Sequence, residues 1–281
     1  MKKLLFAACA AAMTFLAAGA QSRSDVNLDG AVNSADVVAI YNTIVNGDAV
    51  GTTKQAFIVK GVAFTMMPVE GGSFMMGATA EQQDPWDYEK PVHQVTLSSY
   101  YIGQTEVTQE LWEAVMGSNP SNWKGDRLPV EQVSWNDCQE FITKLNQLTG
   151  ETFRLPTEAE WEFAARGGNK SMHYQYSGSN TLDDVAWYAG NSDSKTHAVA
   201  SKQANELGIY DMSGNVWEWC QDYWGSYGSS AQTNPTGPGS GSYRVYRGGS
   251  WYYSAGYCRT AYRFYYTPTN TLNFLGLRLA R

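Results

Sequence analysis

The residues with the clearest chemical potential are oxygen-bearing side chains around Gly30, near the N-terminus. Oxygen donors fall at positions 1, 3, 5, 9 and 12 of a loop whose position 6 is the glycine, and position 7 offers its backbone carbonyl. This spacing is typical of loops that wrap Ca²⁺, a hard cation that prefers oxygen ligands. The alternative is an acidic turn that binds no metal. The expected ligands are Asp25, Asn27, Asp29, Ala31, Asn33 and Asp36.

The first twenty residues have the organisation of a secretory signal peptide. Lys2 and Lys3 precede an apolar stretch over residues 4–18, and Ala18-Gly19-Ala20 supplies the small residues of a cleavage site. The apolar stretch is too short to span a membrane. We therefore expect export to the periplasm, the cell surface or the medium. Lipid anchoring at Cys9 is the less favoured alternative.

Export leaves three cysteines in the mature chain, namely Cys138, Cys220 and Cys258. An oxidising compartment permits one bridge among them. We expect a disulfide between Cys220 and Cys258, and a buried free thiol at Cys138 on the apolar side of a helix. The three histidines, His93, His173 and His197, show neither helical i, i+4 pairing nor a carboxylate motif, so they do not indicate a metal enzyme.

The composition predicts a folded, loop-rich domain. The 281 residues carry a net charge of −7, which gives no electrostatic footprint for nucleic acid. Aromatic residues make up 14% of the chain and charged residues 17%, a balance unlike that of disordered chains. We assign residues 1–20 to the signal peptide, 21–50 to the calcium loop and a helix, 51–63 to a linker or first strand, and 64–281 to a large domain.

Capping residues and periodicity predict three helices in the large domain. Thr108, Ser134 and Thr157 each precede an apolar helical pattern, and Gly117, Gly150 and Gly167 are the expected terminators. Two apolar stretches on either side of Gly71-Gly72 indicate a β-hairpin, and residues 92–102 read as another strand. Beyond Gly168 no periodicity persists, so short strands and long loops are expected there.

Eight segments of the large domain, in this order, resemble the formylglycine-generating enzyme family, also called sulfatase-modifying factor domains. The resemblance runs from about residue 64 to the C-terminus. It implies an α+β, C-type-lectin-like fold with short helices, small sheets and extensive loops. The segments are Gly71–Gly77, Glu106–Thr108, Pro129-Val130 with Val133–Trp135, Arg154–Glu162, Leu207–Trp219, Arg247–Trp251, Arg259–Arg263 and Leu275–Arg278.

The Asp25 loop resembles one calcium repeat of a dockerin. A complete dockerin pairs two such repeats, and no second one follows Gly47. Docking to a cohesin is therefore not expected.

The family resemblance also implies two metal sites. The oxidase of this family holds copper between two cysteine thiolates, but the stretch from Gly248 to Arg259 contains one cysteine, Cys258. Counting forward from Ser250 places one family cysteine on Tyr253. Copper is therefore not expected, and Cys258 is the sole catalytic candidate.

A structural calcium site of the family carries over onto four positions, with an internally hydrogen-bonded turn as the alternative. The ligands are the side chains of Asp211 and Glu218 and the carbonyls of Gly214 and Val216.

The C-terminal segment 243–281 holds 11 aromatic residues in 39. Tyrosine is favoured in binding surfaces because it gives large contact area at low entropic cost. The pattern resembles the variable region of retroelement-diversified proteins with this fold. It indicates a protein that binds an extracellular protein or glycan, the alternatives being a formylglycine-generating oxidase or rings that merely line the core. The expected ligand-facing residues are Tyr252, Tyr253, Ser254, Tyr257, Tyr262, Phe264, Tyr265, Tyr266 and Phe274.

Overall fold

The computed structural model describes residues 51–281, which form one compact unit from Thr52 to Arg281. The signal peptide, Cys9 and the calcium loop from Asp25 to Asp36 lie outside the described residues, so these predictions stay predictions. None of the described helices is long and apolar enough to cross a bilayer.

Ten strands are present in the described part of the chain, and they form three small sheets. The sheet orders are β1-β2-β5, β3-β4-β7 and β10-β6-β8-β9. The strands are β1 Gln55–Val59, β2 Val62–Val69, β3 Gly72–Met76, β4 His93–Leu97, β5 Tyr100–Gly103, β6 Trp217–Tyr223, β7 Gln232–Thr233, β8 Arg244–Arg247, β9 Arg263–Tyr266 and β10 Leu275–Leu277.

Residues before 64 are also structured, since β1 and β2 form an antiparallel hairpin across Lys60-Gly61. The strand β1 lies within residues 51–63, the segment expected to be a linker or a first strand. The predicted hairpin at Gly71-Gly72 is wrong. β2 pairs with β5 and β3 pairs with β4, so the chain passes at Gly71 from one sheet to another. The amide of Gly71 donates a hydrogen bond to the Ser99 hydroxyl. This bond stabilises the chain where it crosses between the two sheets.

The three predicted helices are confirmed, and a further single-turn helix follows them. Thr108, Ser134 and Thr157 each cap a helix by accepting a hydrogen bond from a first-turn amide. Gly117 and Gly150 end the first two helices in the left-handed conformation, whereas the third ends at Ala165 and is capped by Arg166, one residue before Gly167. The helices are α1 Gln109–Met116, α2 Trp135–Thr149, α3 Glu158–Ala165 and α4 Leu182–Val185.

The helix α3 lies at the centre of the domain, and all eight of its residues are buried. Trp161 and Phe163 pack in the main apolar cluster, while Glu158 and Glu162 enter the core as carboxylates. Arg247 and Arg263 neutralise these carboxylates at full or nearly full burial. Because breaking one partner of a buried pair leaves an uncompensated charge, these pairs fix the position of β8 and β9 against α3.

Candidate ligand-binding face

The three cysteines of the described residues are free and buried, so the prediction of a Cys220–Cys258 disulfide is wrong. Cys220 lies on β6 within the main apolar cluster, whereas Cys258 packs in a second cluster beside Tyr176 and Val185. Each thiol is enclosed by different apolar neighbours. The expectation of a buried free thiol at Cys138 is confirmed.

Cys258 is a poor candidate for metal binding or catalysis. It ends the short turn Ala255–Cys258, it is inaccessible to solvent, and burial raises the pKa of its thiol to about 12. Copper ligands and nucleophiles are thiolates, and this environment holds the proton on the sulfur. The residues present therefore do not fit a two-thiolate copper site, and no step is derived through one.

Asp211 and Glu218, two of the four residues expected at a second calcium site, lie in a buried acidic cluster. Glu218 accepts hydrogen bonds from Arg278 Nη2 at 2.6 Å and from the Trp161 indole nitrogen at 2.6 Å. Asp211 accepts from the Ala200 amide at 2.7 Å, and burial raises its pKa to about 6. Arg278 already supplies the positive charge that Glu218 requires.

The backbone carbonyls of Gly214 and Val216 would complete that site. Among the described residues no group of three or more His, Cys, Asp or Glu side chains is arranged to hold a metal ion. Because Glu218 is engaged by a guanidinium, the structure gives this second calcium site no support, and it stays a prediction.

Eight of the nine predicted ligand-facing residues are at least partly exposed. Tyr252 and Phe264 are 59% and 37% exposed. Tyr262 is the exception at 2%, and its assignment to the binding surface is corrected. Its ring packs on Trp217, and its hydroxyl accepts a hydrogen bond from the Tyr88 hydroxyl at 2.8 Å, so it supports the face from below. The eight are Tyr252, Tyr253, Ser254, Tyr257, Phe264, Tyr265, Tyr266 and Phe274.

Two backbone segments carry most of these side chains. The first is the turn after β8, where Gly248 and Gly249 have φ of +104° and +78°, a region that side-chain-bearing residues rarely adopt. A Cβ on Gly249 would lie 2.6 Å from the Cys258 sulfur, so the turn also requires glycine for space. The second is β9, which pairs with β8 alone among the described strands and so forms a sheet edge.

Buried ion pairs anchor both segments from the inside. Arg259 makes a bidentate contact with Glu89, with nitrogen–oxygen distances of 2.6 and 2.7 Å. Arg263 makes a second bidentate contact with Glu158, with both distances at 2.7 Å. Planar guanidinium–carboxylate pairs of this kind restrict orientation as well as distance. The rings therefore project from a rigid support.

Ring-to-ring contacts join most of these side chains into one surface. Tyr252 stacks on Phe274 with centroids 5.6 Å apart and planes at 7°. Tyr253 contacts Tyr257 at 4.9 Å and Phe274 at 5.4 Å. The buried Tyr262 links Tyr257 to Phe264, at 4.9 and 6.4 Å.

The surface continues onto rings that sequence reasoning did not assign to it. Tyr88 contacts Phe264 at 6.3 Å and stacks with Trp86, which is 53% exposed. Trp224 and Tyr243 both contact Tyr265, at 4.5 and 5.0 Å. The aromatic richness of segment 243–281 includes Tyr243, but no motif marks Trp86, Tyr88 or Trp224. We call the whole set the aromatic face: Trp86, Tyr88, Trp224, Tyr243, Tyr252, Tyr253, Tyr257, Phe264, Tyr265, Tyr266 and Phe274.

The side chains that make up the aromatic face carry no formal charge. Burial raises the pKa of Tyr88 and of Tyr253, and neighbouring phenols raise that of Tyr253 further. Each exposed hydroxyl can therefore donate and accept hydrogen bonds at neutral pH. The face combines large apolar area with a regular supply of neutral hydrogen-bonding groups, as binding surfaces rich in tyrosine do.

Comparison with known proteins gives the same picture of the domain. Residues 59–281 match the family described as sulfatase-modifying factor enzyme 1-like domains. The chain is 34% identical to chaperone protein LppX of Paenibacillus barcinonensis, over 78% of this chain and 90% of that protein. It is 32% identical to the formylglycine-generating enzyme of Streptomyces coelicolor, over 75% and 87%. Among solved structures, Treponema denticola variable protein 1 superposes with a TM-score of 0.74 and 37% identity, over 81% of this chain and 98% of that one.

Proposed function

Because the chain belongs to the sulfatase-modifying factor enzyme 1-like family, we propose that it uses this fold to bind a ligand through the aromatic face. The observation that carries the proposal is the continuity of partly exposed rings on a support held by buried ion pairs. Large exposed apolar patches on soluble proteins mark interaction sites, and aromatic anchors contribute most of the binding energy at such sites.

The alternative is the oxidase activity suggested by the name of the Streptomyces coelicolor relative. The geometry disfavours it because Cys258 is enclosed, protonated and without a second thiol in its cluster. Under the proposed function the ligand is held by the aromatic face, with no covalent chemistry at the Cys258 sulfur.

The likeness to a variable protein supports a proposal about sequence variation. We expect the residues of the aromatic face to differ among close relatives of this chain, as retroelement diversification would produce. The buried supports Arg259 and Arg263 should stay constant, since each holds a carboxylate with no other bidentate partner. Sequencing the C-terminal coding segment from related isolates tests this, and substitutions spread evenly over core and surface would contradict it.

We propose that the protein is exported and that its ligand is an extracellular protein or glycan. Export follows from residues 1–20, and the ligand class follows from the neutral, ring-rich character of the face. The hydroxyls of Tyr252, Tyr253 and Tyr257 can bind the backbone groups of a polypeptide or the hydroxyls of a sugar equally well.

The experiment is a ligand search followed by a test of the face. The full mature chain is used to capture ligands from cell-surface protein and glycan arrays, and affinity is then measured with the purified ligand. The double variant Tyr253→Ala with Tyr265→Ala should lose at least about tenfold in affinity while keeping its melting temperature. The matched control, Ile58→Ala with Met172→Ala, removes two exposed apolar side chains outside the face and should change neither. Unfolding of the double variant would place these rings in the core and contradict the proposal.

A further inference from the structure

A cavity of about 350 Å³ opens between α3, the end of β6 and the loop that follows it. It does not include any ring of the aromatic face. Its apolar walls include Met76 and Pro238, and its polar walls include Asp222, His93 and Tyr227. The volume lies within the range of small-ligand pockets and suits one side chain of amino-acid size.

Asp222 is a buried acid of this cavity whose hydrogen bonding is incomplete. It is 4% exposed, and its Oδ2 accepts the amide hydrogen of Glu158 at the first turn of α3. No donor among the described residues meets its other oxygen, Oδ1. Burial, and then the nearby Glu158 carboxylate, raise the pKa of Asp222 to about 8. A buried carboxylate in this position requires a proton or a cationic partner.

None of the charged groups close to Asp222 in the described part of the chain forms an ion pair with it. Arg263 pairs with Glu158, whereas Arg244 donates to the carbonyl of Gln221 and packs on the ring of Tyr223. Three arginines and three glutamates form a balanced network behind the cavity, and Asp222 takes part in no ion pair of the described residues. The pairs are Arg166 with Glu81, Arg247 with Glu162 and Arg263 with Glu158. The Asp222 carboxyl therefore has no counter-charge within ion-pair distance among the described residues.

Arg263 also lines the cavity, but its hydrogen-bond donors already bind other acceptors. Its Nε and Nη2 donate to Glu158, and its Nη1 donates to the carbonyl of Gly225 at 2.9 Å. Its guanidinium also packs on the ring of Tyr227, 3.9 Å from the centroid. Arg263 therefore forms part of the cavity wall, and its guanidinium is not available to neutralise Asp222.

We propose that this cavity binds an alkylammonium group, such as a lysine side chain of a peptide, with the nitrogen at Oδ1 of Asp222 and the methylene chain along Met76 and Pro238. One free oxygen suits a compact ammonium, whereas a guanidinium prefers two parallel acceptors. A divalent metal needs several oxygen ligands, and the second carboxylate that lines the cavity, Glu158, is already engaged by Arg263. Long cationic side chains commonly bury their stems on apolar surface in this way.

The test uses a probe pair that differs in charge. N-acetyl-lysine methylamide and its uncharged analogue N-acetyl-norleucine methylamide are titrated separately into the full chain, with calorimetry and the Met76 methyl resonance as readouts. The lysine probe should bind with millimolar or tighter affinity and shift the Met76 resonance, and the norleucine probe should bind at least about tenfold more weakly. Equal binding of the two probes, or no binding of the lysine probe, would overturn the proposal without the need for any variant.

Two isosteric variants then locate the charge. Asp222→Asn keeps an acceptor for the Glu158 amide but removes the anion, so the lysine probe should lose at least about tenfold in affinity. Asp126→Asn neutralises an exposed acid outside the cavity and should leave the affinity unchanged. Retained binding in Asp222→Asn would contradict the assigned contact. Displacement of the lysine probe by Ca²⁺ would show a metal site instead and would also overturn the proposal.

Discussion

The chemistry available to Cys258 is decided by its surroundings more than by its type. A pKa of about 12 leaves roughly one sulfur in 10⁵ deprotonated at pH 7, whereas a metal ligand or nucleophile must be a thiolate. The turn that holds it needs glycine at Gly249, because a larger residue would overlap the sulfur. Cys258 therefore serves as a buried packing residue, and the exposed groups that can contact a ligand are the neighbouring rings.

The absence of oxidase chemistry at Cys258 is a testable prediction. Purified protein incubated with copper, oxygen and a peptide containing Cys-x-Pro-x-Arg should leave the mass of the peptide cysteine unchanged. Without reduction, peptide mapping should recover Cys220 and Cys258 as separate thiols, since they pack in different clusters. Turnover that disappears in Cys258→Ala, or a disulfide-linked peptide pair, would contradict this assignment.

The ionisation of Asp222 gives a prediction with a defined sign. Its pKa is about 8 in the folded protein and about 3.9 in an unfolded chain. Between those values the folded state binds more protons, so rising pH destabilises it through this residue. Asp222→Asn lacks this dependence, and its stability relative to the parent should increase from pH 4 to pH 8, with a slope approaching about 1.4 kcal/mol per pH unit. Urea unfolding at several pH values measures the difference, and a difference independent of pH would refute it.

At the scale of elements, local signals in the sequence identify the helices but not the sheets. Thr108, Ser134 and Thr157 mark their helix starts because capping is a contact within one turn. The hairpin at Gly71-Gly72 fails because a glycine pair also suits a crossing between two sheets, and pairing partners 17 to 25 residues apart leave no local signal in the sequence. Patterning likewise cannot separate Tyr262 from its exposed neighbours, because Tyr88, which binds its hydroxyl, is distant in sequence.

The cap of α2 offers a direct test of the local account. Ser134 and Asp137 form a reciprocal capping box, so Ser134→Ala removes the acceptor for one first-turn amide. The free energy of unfolding should fall by about 1 kcal/mol. Thr143→Ala, an exposed mid-helix change on the same element, is the matched control and should be neutral or slightly stabilising. An equal loss in both variants would show that the cap contributes nothing specific.

At the scale of the whole molecule, buried arginine–glutamate pairs support the rings of the aromatic face. The pairs Arg259–Glu89 and Arg263–Glu158 lie directly behind the aromatic face, so binding energy at the surface need not be spent on ordering the backbone. Both arginines lie in the segment Arg259–Arg263, one of those that carry the family resemblance, but the sequence does not identify their glutamate partners. It does not predict which rings join the face, since Trp86 and Trp224 reach it only through the folded chain.

Calcium binding by the predicted loop near the N-terminus can be tested on the full chain. Calorimetric titration should detect one Ca²⁺ that is lost in Asp29→Ala with Asp36→Ala, because those changes remove two of the oxygen ligands. Asp211→Asn serves as the control for the second predicted site and should leave this binding intact. A calcium signal lost in Asp211→Asn but kept in the loop variant would place the ion in the large domain instead.

The most direct test of the central claim compares the face with the thiol in one binding assay. Affinity for the purified ligand is measured for the parent chain, for Tyr252→Ala with Phe264→Ala, and for Cys258→Ala. Tyr252 and Phe264 are exposed members of the face, one from each of its two backbone segments, and their removal should weaken binding by at least about tenfold. Cys258→Ala should bind as the parent does. Loss of binding in Cys258→Ala, with full affinity in the ring variant, would contradict the account.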